Sequence, residues 1–242
     1  MIIITVTKLV SILLSMSLQP TQNTTSQNSI KDFSNVKLYV IISSRLTRKP
    51  VLETLKEVIQ GGADAVQLRE KSLPDNDLIP IAEKFKEITS QAKTLFILND
   101  RADIAKMVDA DGLHIGQSDI AVPTAREIIG NNKILGVSTR NIFQAKKAQL
   151  EGATYISAGP IFYTTTKDYE PPVGLDYLKQ VKKEINIPFV AIGAINLENI
   201  NDILNAGATC IAICSAIICS NNIIETARTF KTLLTTYHGT IY

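Results

Sequence analysis

The chain has 242 residues, of which 45% are hydrophobic, 20% charged and 6% aromatic, a globular composition with enough apolar side chain for one large domain or two small ones. Lys and Arg number 25 against 23 Asp and Glu, a formal net charge of +2, and no basic run of five or more occurs, which excludes a strongly basic nucleic-acid binder. The three cysteines, Cys210, Cys214 and Cys219, are odd in number and lack paired C-x-x-C spacing, so they predict neither a disulfide framework nor a zinc site and fit a reducing compartment.

In chain order, residues 1–36 stand apart. Residues 2–18 are apolar-rich but broken by Thr5, Thr7, Lys8, Ser11, Ser15 and Ser17, a poor match to the roughly 20 apolar residues of a membrane span. Lys8 followed by Leu9–Leu18 has the outline of a signal peptide without an A-x-A cleavage site. Gln19–Ser29 is polar and uncharged and reads as a linker. Residues 1–36 are therefore expected to be a weakly signal-like or disordered extension, with the domain spanning 37–242.

Within 37–242, short β-rich runs alternate with helix-like ones. The runs Lys37–Ser43, Ala65–Arg69, Leu95–Leu98, Gly112–Ile115, Ile134–Ser138, Tyr155–Ala158, Phe189–Ile192 and Cys210–Cys214 predict strands. Val51–Gln60, Asp77–Gln91, Phe143–Glu151, Leu175–Glu184 and Leu197–Asn205 predict helices between them. Such alternation predicts βα units around a parallel sheet. An open doubly wound sheet fits the alternation, but eight units favour closure into a (β/α)8 barrel. An internal echo supports this: Gly62-Ala63-Asp64, Asp109-Ala110-Asp111, Gly152-Ala153-Thr154 and Gly207-Ala208-Thr209 each stand between a helix and a strand.

A βα barrel carries its site at the C-terminal ends of the strands. There the chain places Gln67-Leu68-Arg69-Glu70-Lys71, Asn99-Asp100-Arg101, His114-Ile115-Gly116-Gln117-Ser118-Asp119, Ser138-Thr139-Arg140-Asn141, Gly159-Pro160 with Thr164-Thr165-Thr166-Lys167, Gly193-Ala194, and Ser215. Period-two geometry puts Gln67, Arg69 and Lys71 on one side of the chain and Leu68 and Glu70 on the other. Arg69, Lys71 and Lys167 together suit a polyanion. Asp100 and Asp119 are either partners of those cations or, with a phosphate-rich ligand, Mg²⁺ ligands. Gly193, Ala194, Cys214 and Ser215 occupy the places where barrels build phosphate sites from backbone N–H groups, although plain packing explains small residues there nearly as well. His114, inside a strand, reads as structural or supporting; His238 is near the terminus. Cys214 alternates with Ala212 and Cys210 on one strand face, a pattern of core packing.

These motifs resemble, in series, those of the thiamine phosphate synthase family from about Lys37 to Ile217. The resemblance implies a (β/α)8 barrel that joins a hydroxymethylpyrimidine diphosphate to a thiazole phosphate with loss of pyrophosphate. Carried over residue by residue, it implies that Gln67, Leu68, Arg69, Glu70, Lys71, Asn99 and Lys167 surround the pyrimidine diphosphate, with Arg69, Lys71 and Lys167 as the catalytic cations. Asp100 and Asp119 would ligate Mg²⁺, Ser138 would touch the pyrimidine, and Thr164, Thr165, Thr166, Ala194, Cys214 and Ser215 would line the thiazole phosphate site. It also implies a cytoplasmic enzyme with small phosphorylated substrates, no nucleic-acid or stable membrane partner, and room for a homo-oligomer. The family usually carries Gly-Gly where this chain has Gly193-Ala194, and a histidine where it has Arg140. The alternatives are a thiazole tautomerase-like isomerase or a non-catalytic thiazole phosphate sensor. Retention of Lys71, Asp100 and Asp119 without the tautomerase histidine favours the synthase.

Overall fold

The structure is a computed structural model that describes residues 32–164 and 171–237. Eight strands, β1 (Leu38–Ile42), β2 (Ala65–Leu68), β3 (Leu95–Asn99), β4 (Gly112–Ile115), β5 (Ile134–Thr139), β6 (Tyr155–Ala158), β7 (Phe189–Ile192) and β8 (Ile211–Ile213), pair in parallel and in chain order, and β8 returns to β1 to close the barrel. The helices that return the chain are α1 (Val51–Gln60), α2 (Asp75–Ala92), α3 (Ala102–Met107), α4 (Val122–Ile129), α5 (Ile142–Leu150), α6 (Gly174–Glu184), α7 (Ile200–Asn205), α8 (Ser215–Ile218) and α9 (Ile223–Thr236). Strands buried on both faces read as near-continuous apolar runs such as Leu38–Ile42.

Alternate residues serve two cores. Leu38, Val40, Ile42, Val66 and Leu68 pack outward against the helices. Tyr39, Ile41, Ala65, Ile97, Ile134, Tyr155, Val190, Cys210 and Ala212 fill the barrel interior. Toward the C-terminal end the inward positions turn polar, with Gln67, Asn99, His114 and Ser157 all buried. This gradient along the barrel axis gives a dry floor and a polar mouth.

The four-fold echo closes the opposite end. Gly62, Asp109, Gly152 and Gly207 all adopt positive φ, between 53° and 98°, which ends the helix and turns the chain back into the barrel. The alanine that follows is buried each time. In three of the four the polar residue after it caps a neighbouring strand: Asp64 accepts from the backbone N–H of Lys37 and Leu38, Asp111 from Phe96, and Thr154 from Leu135.

Element limits differ from expectation where local chemistry intervenes. The helix α2 starts at Asp75, directly after the extended Pro74, with Asp75 and Asp77 in its first turn, where acids favour the helix dipole. The helix α7 starts at Ile200 because the Asn196 and Asn199 side chains accept from each other's backbone N–H and hold residues 196–199 in a turn. The strand β8 stops at Ile213, since Cys214 leaves the β region at φ −115°, ψ −97°. Phe33 and Val36, on the extension side of the expected boundary at 37, are buried in the barrel interior at 2% and 5% exposure. The barrel therefore begins no later than Phe33.

Candidate active site

The polar mouth opens into a cavity of about 330 Å³ lined by strand ends and their loops. From β2 it receives Gln67, Arg69 and Lys71. Leu68 and Glu70 do not reach it: alternation buries Leu68 among the outer core and turns the Glu70 carboxylate to the Ser44 backbone N–H and hydroxyl. Their expected place at the substrate is corrected accordingly, and Glu70 instead ties down the β1–α1 loop. Leu46 and Ser43 of that loop join the wall.

The last residue of β3, Asn99, and Asp100 just after it also line the cavity. Asp100 is left-handed, at φ 62°, a conformation that Asp tolerates better than most residues, and its backbone N–H donates to the carbonyl of His114 across the strand pair. This turns its carboxylate toward Lys71, 3.3 Å away. Asp119, from the loop after β4, accepts from the Gly116 N–H at 2.6 Å and also reaches Asp100. Burial first, then the hydrogen bond and charge of Asp119, hold the Asp100 carboxyl above its ordinary value; Lys71 pulls the other way. Two carboxyl groups this close stay ionised together only with a cation between them. Among the described residues no cluster of three or more His, Cys, Asp or Glu could form a protein cage. The chemistry of a carboxylate pair fits Mg²⁺, a cation that takes one or two carboxylates and fills its remaining positions with water and phosphate oxygens.

The opposite wall carries Gly159, Pro160, Thr164, Gly193, Ala194, Cys214, Ser215 and Ala216. At Gly193, φ 117°, an added Cβ would lie 2.5 Å from Pro160 Cα, so only glycine fits. Ala194 follows at φ 47°. The helix α8 has no side-chain cap, so its first N–H groups at Ser215 and Ala216 border the cavity as donors. Burial raises the Cys214 thiol to about 12, which makes it a wall and not a nucleophile. Thr165, Thr166, Lys167 and His238 lie outside the described residues.

Beneath the cavity a hydrogen-bonded chain crosses the barrel. Gln67 Nε2 donates to the Tyr39 hydroxyl (2.7 Å), which meets the Tyr155 hydroxyl (3.0 Å). The Tyr155 hydroxyl meets His114 Nδ1 (2.9 Å), and His114 Nε2 meets Ser138 Oγ (2.9 Å). Ser157 Oγ lies 3.5 Å from Ser138 Oγ. Ser157 is not among the residues the sequence placed at the strand ends, and Arg140, which is, was given no ligand there. Extending the inward parity from Tyr155 by two residues finds Ser157. Arg140 lines the mouth, with one guanidinium N–H donating to the Pro171 carbonyl at 2.9 Å.

A closed (β/α)8 barrel with cations, paired carboxylates and backbone donors around one C-terminal mouth defines a barrel enzyme suited to phosphorylated small molecules. Comparison with known proteins gives the family. The model of the thiamine monophosphate synthase family matches residues 38–217. The thiamine-phosphate synthase of Moorella thermoacetica is 41% identical over 204 residues, 84% of this chain and 97% of its own. That of Chloroflexus aurantiacus is 41% identical over 208 residues, covering 85% and 96%. The solved thiamine phosphate pyrophosphorylase of Pyrococcus furiosus superposes with a TM-score of 0.79 at 32% identity, covering 85% of this chain and 98% of that one. The chain belongs to the thiamine monophosphate synthase family. No helix of the described residues is long and apolar enough to cross a membrane.

Proposed function

We propose that this mouth condenses 4-amino-2-methyl-5-hydroxymethylpyrimidine diphosphate with 4-methyl-5-(2-phosphoethyl)thiazole, in a Mg²⁺-dependent reaction that releases pyrophosphate and forms thiamine phosphate in the cytoplasm. The observation that carries the reading is the convergence of Arg69 and Lys71 with Asp100 and Asp119 on one side of the cavity, opposite the small residues Ala194, Ser215 and Ala216. The two walls suit two phosphorylated ligands held face to face.

Arg69 and Lys71 bind and orient the diphosphate, Arg69 through its planar fork and Lys71 as a mobile point charge. Lys167 is the third cation in this reading. Asp100 and Asp119 hold Mg²⁺, which when bound neutralises charge growing on the leaving diphosphate. As the pyrimidine CH₂–O bond breaks, the electron pair leaves with pyrophosphate, and the aminopyrimidine ring shares the positive charge left on carbon. The thiazole nitrogen then donates its lone pair to that carbon, and the N–C bond forms without any proton leaving the ring. The backbone donors at Ala194, Ser215 and Ala216 fix the thiazole phosphate so that its nitrogen faces the reacting carbon. Positioning and charge stabilisation thus carry the rate. His114, held between Tyr155 and Ser138, is not required as a base.

The full chain incubated with both substrates and Mg²⁺ is expected to form thiamine phosphate, read by fluorescence after oxidation, and to stop on addition of EDTA. Absence of product from folded protein overturns the proposed activity. Product formation indifferent to EDTA overturns the metal.

A further inference from the structure

The chain from Gln67 to Ser138 is built of groups that the reaction above leaves mostly unused, and its proton count is restrictive. It has four links, Gln67 to Tyr39, Tyr39 to Tyr155, Tyr155 to His114, and His114 to Ser138, and each holds one proton. With Gln67 Nε2 donating to Tyr39, the Tyr39 hydroxyl donates to Tyr155, and Tyr155 donates to His114 Nδ1. A neutral imidazole that accepts at Nδ1 carries its proton at Nε2, which donates to Ser138 Oγ. Ser157 stands as a second donor to the same oxygen. Ser138 then keeps its own proton for the cavity, while Gln67 presents its carbonyl oxygen there. Burial holds both phenols well above the ordinary tyrosine value, so the protons stay in place at alkaline pH.

Tyr155 is held from both faces. Phe33 stacks on its ring at 3.9 Å between centroids and 5° between planes, and Tyr39 meets it edge-on. On the other side lies Gly136, its register partner on β5, where an added Cβ would fall 2.1 Å from Tyr155 Cζ and 2.4 Å from its hydroxyl. Gly136 thus clears the space through which the hydroxyl reaches His114.

We propose that Tyr155 is a positioning residue: by donating to His114 Nδ1 it fixes the Nε2–H tautomer, which sets Ser138 as a hydrogen-bond donor and Gln67 as an acceptor toward the ligand. That pair is complementary to an amino group beside a ring nitrogen, the edge of an aminopyrimidine. The tautomer assignment stands on the free protein; only its use in recognition rests on the proposed function.

The test uses the full chain with ¹⁵N-histidine. The chain has two histidines, so H238Q leaves His114 as the single reporter, at about pH 8.5, above the ordinary imidazole range. The expected spectrum shows a protonated Nε2 and a bare Nδ1. Y155F is expected to give mixed tautomers and an about tenfold higher KM for the pyrimidine diphosphate, with the KM for thiazole phosphate unchanged. Y39F removes an equally buried hydroxyl from the same layer but leaves the Tyr155 donor, and is expected to keep the Nε2–H tautomer. A protonated Nδ1 in the parent overturns the proposal. So does a Y155F spectrum identical to the parent's, or an equal tautomer shift in Y155F and Y39F. Because the spectra need no substrate, a protein without synthase activity would refute the function while still deciding the relay.

Discussion

Ala194 shows how one side chain reports on the backbone beneath it. Its φ of 47° is left-handed, which costs an L-residue roughly 1–2 kcal/mol. The position serves the cavity through its backbone, so the methyl group is not needed there. A194G is expected to raise stability by up to about 1 kcal/mol, once glycine's extra unfolded-state freedom is offset. The KM for thiazole phosphate should be unchanged or lower. A drop in unfolding midpoint would show that the strain is illusory. Asp109 is the sharper electrostatic case. Lys133, hydrogen-bonded at 2.5 Å, holds its carboxyl below the ordinary 3.8. A carboxyl lowered in the fold stabilises the protein above the unfolded value, and that stability is lost as the pH falls through the folded one. Asn tolerates the left-handed conformation of this residue (φ 53°), so D109N isolates the charge. The Asp109 side chain is largely exposed, so the variant should lose no more than about 0.5 kcal/mol at neutral pH, and nothing in strong acid. A loss that persists in acid would assign it to packing.

Among the elements, those whose limits were legible in the sequence are those whose signal is local. The helix α1 and the strands β4, β6 and β7 stand within their expected bounds, since apolar period and flanking turn residues agree. Alternation on β2 sorted Gln67, Arg69 and Lys71 from Leu68 and Glu70, and the structure follows that sorting. What escaped were features made by contact. Nothing near Phe33 in the sequence marks it as a barrel residue, because its partners Tyr39 and Tyr155 lie on strands further along the chain. Likewise, the reason for Gly136 is a ring on the neighbouring strand. F33A is expected to cost about 3 kcal/mol, as for other large buried aromatics, and to loosen Tyr155 as well. A chemical-denaturation midpoint within error of the parent would return Phe33 to the extension.

At the scale of the whole molecule, the barrel separates stability from chemistry along its axis. The aromatic floor and the repeated turn-and-cap units at the N-terminal end hold the strands, while charge accumulates at the mouth. The alternation of eight strands made this architecture readable, and the charge at the strand ends made the site readable. The tilt that brings Asp119 to Asp100 was not readable, since it depends on the left-handed turn at Asp100 and the Gly116–Asp119 loop. That pairing has a consequence for stability. A carboxyl raised in the fold makes its ionised form a cost above that value, only partly offset by the half-exposed Lys71.

The most direct measurement is therefore the Mg²⁺ dependence of thiamine phosphate formation by the parent and by D100N, with unfolding followed in parallel in EDTA. Asn fits the left-handed backbone at this position and removes the charge. The account predicts a saturable Mg²⁺ curve for the parent. For D100N it predicts at least a hundredfold loss of Mg²⁺-dependent rate, together with a metal-free stability equal to or above the parent's. A D100N protein with the parent's Mg²⁺ curve would contradict the assignment of this carboxylate pair as the metal site.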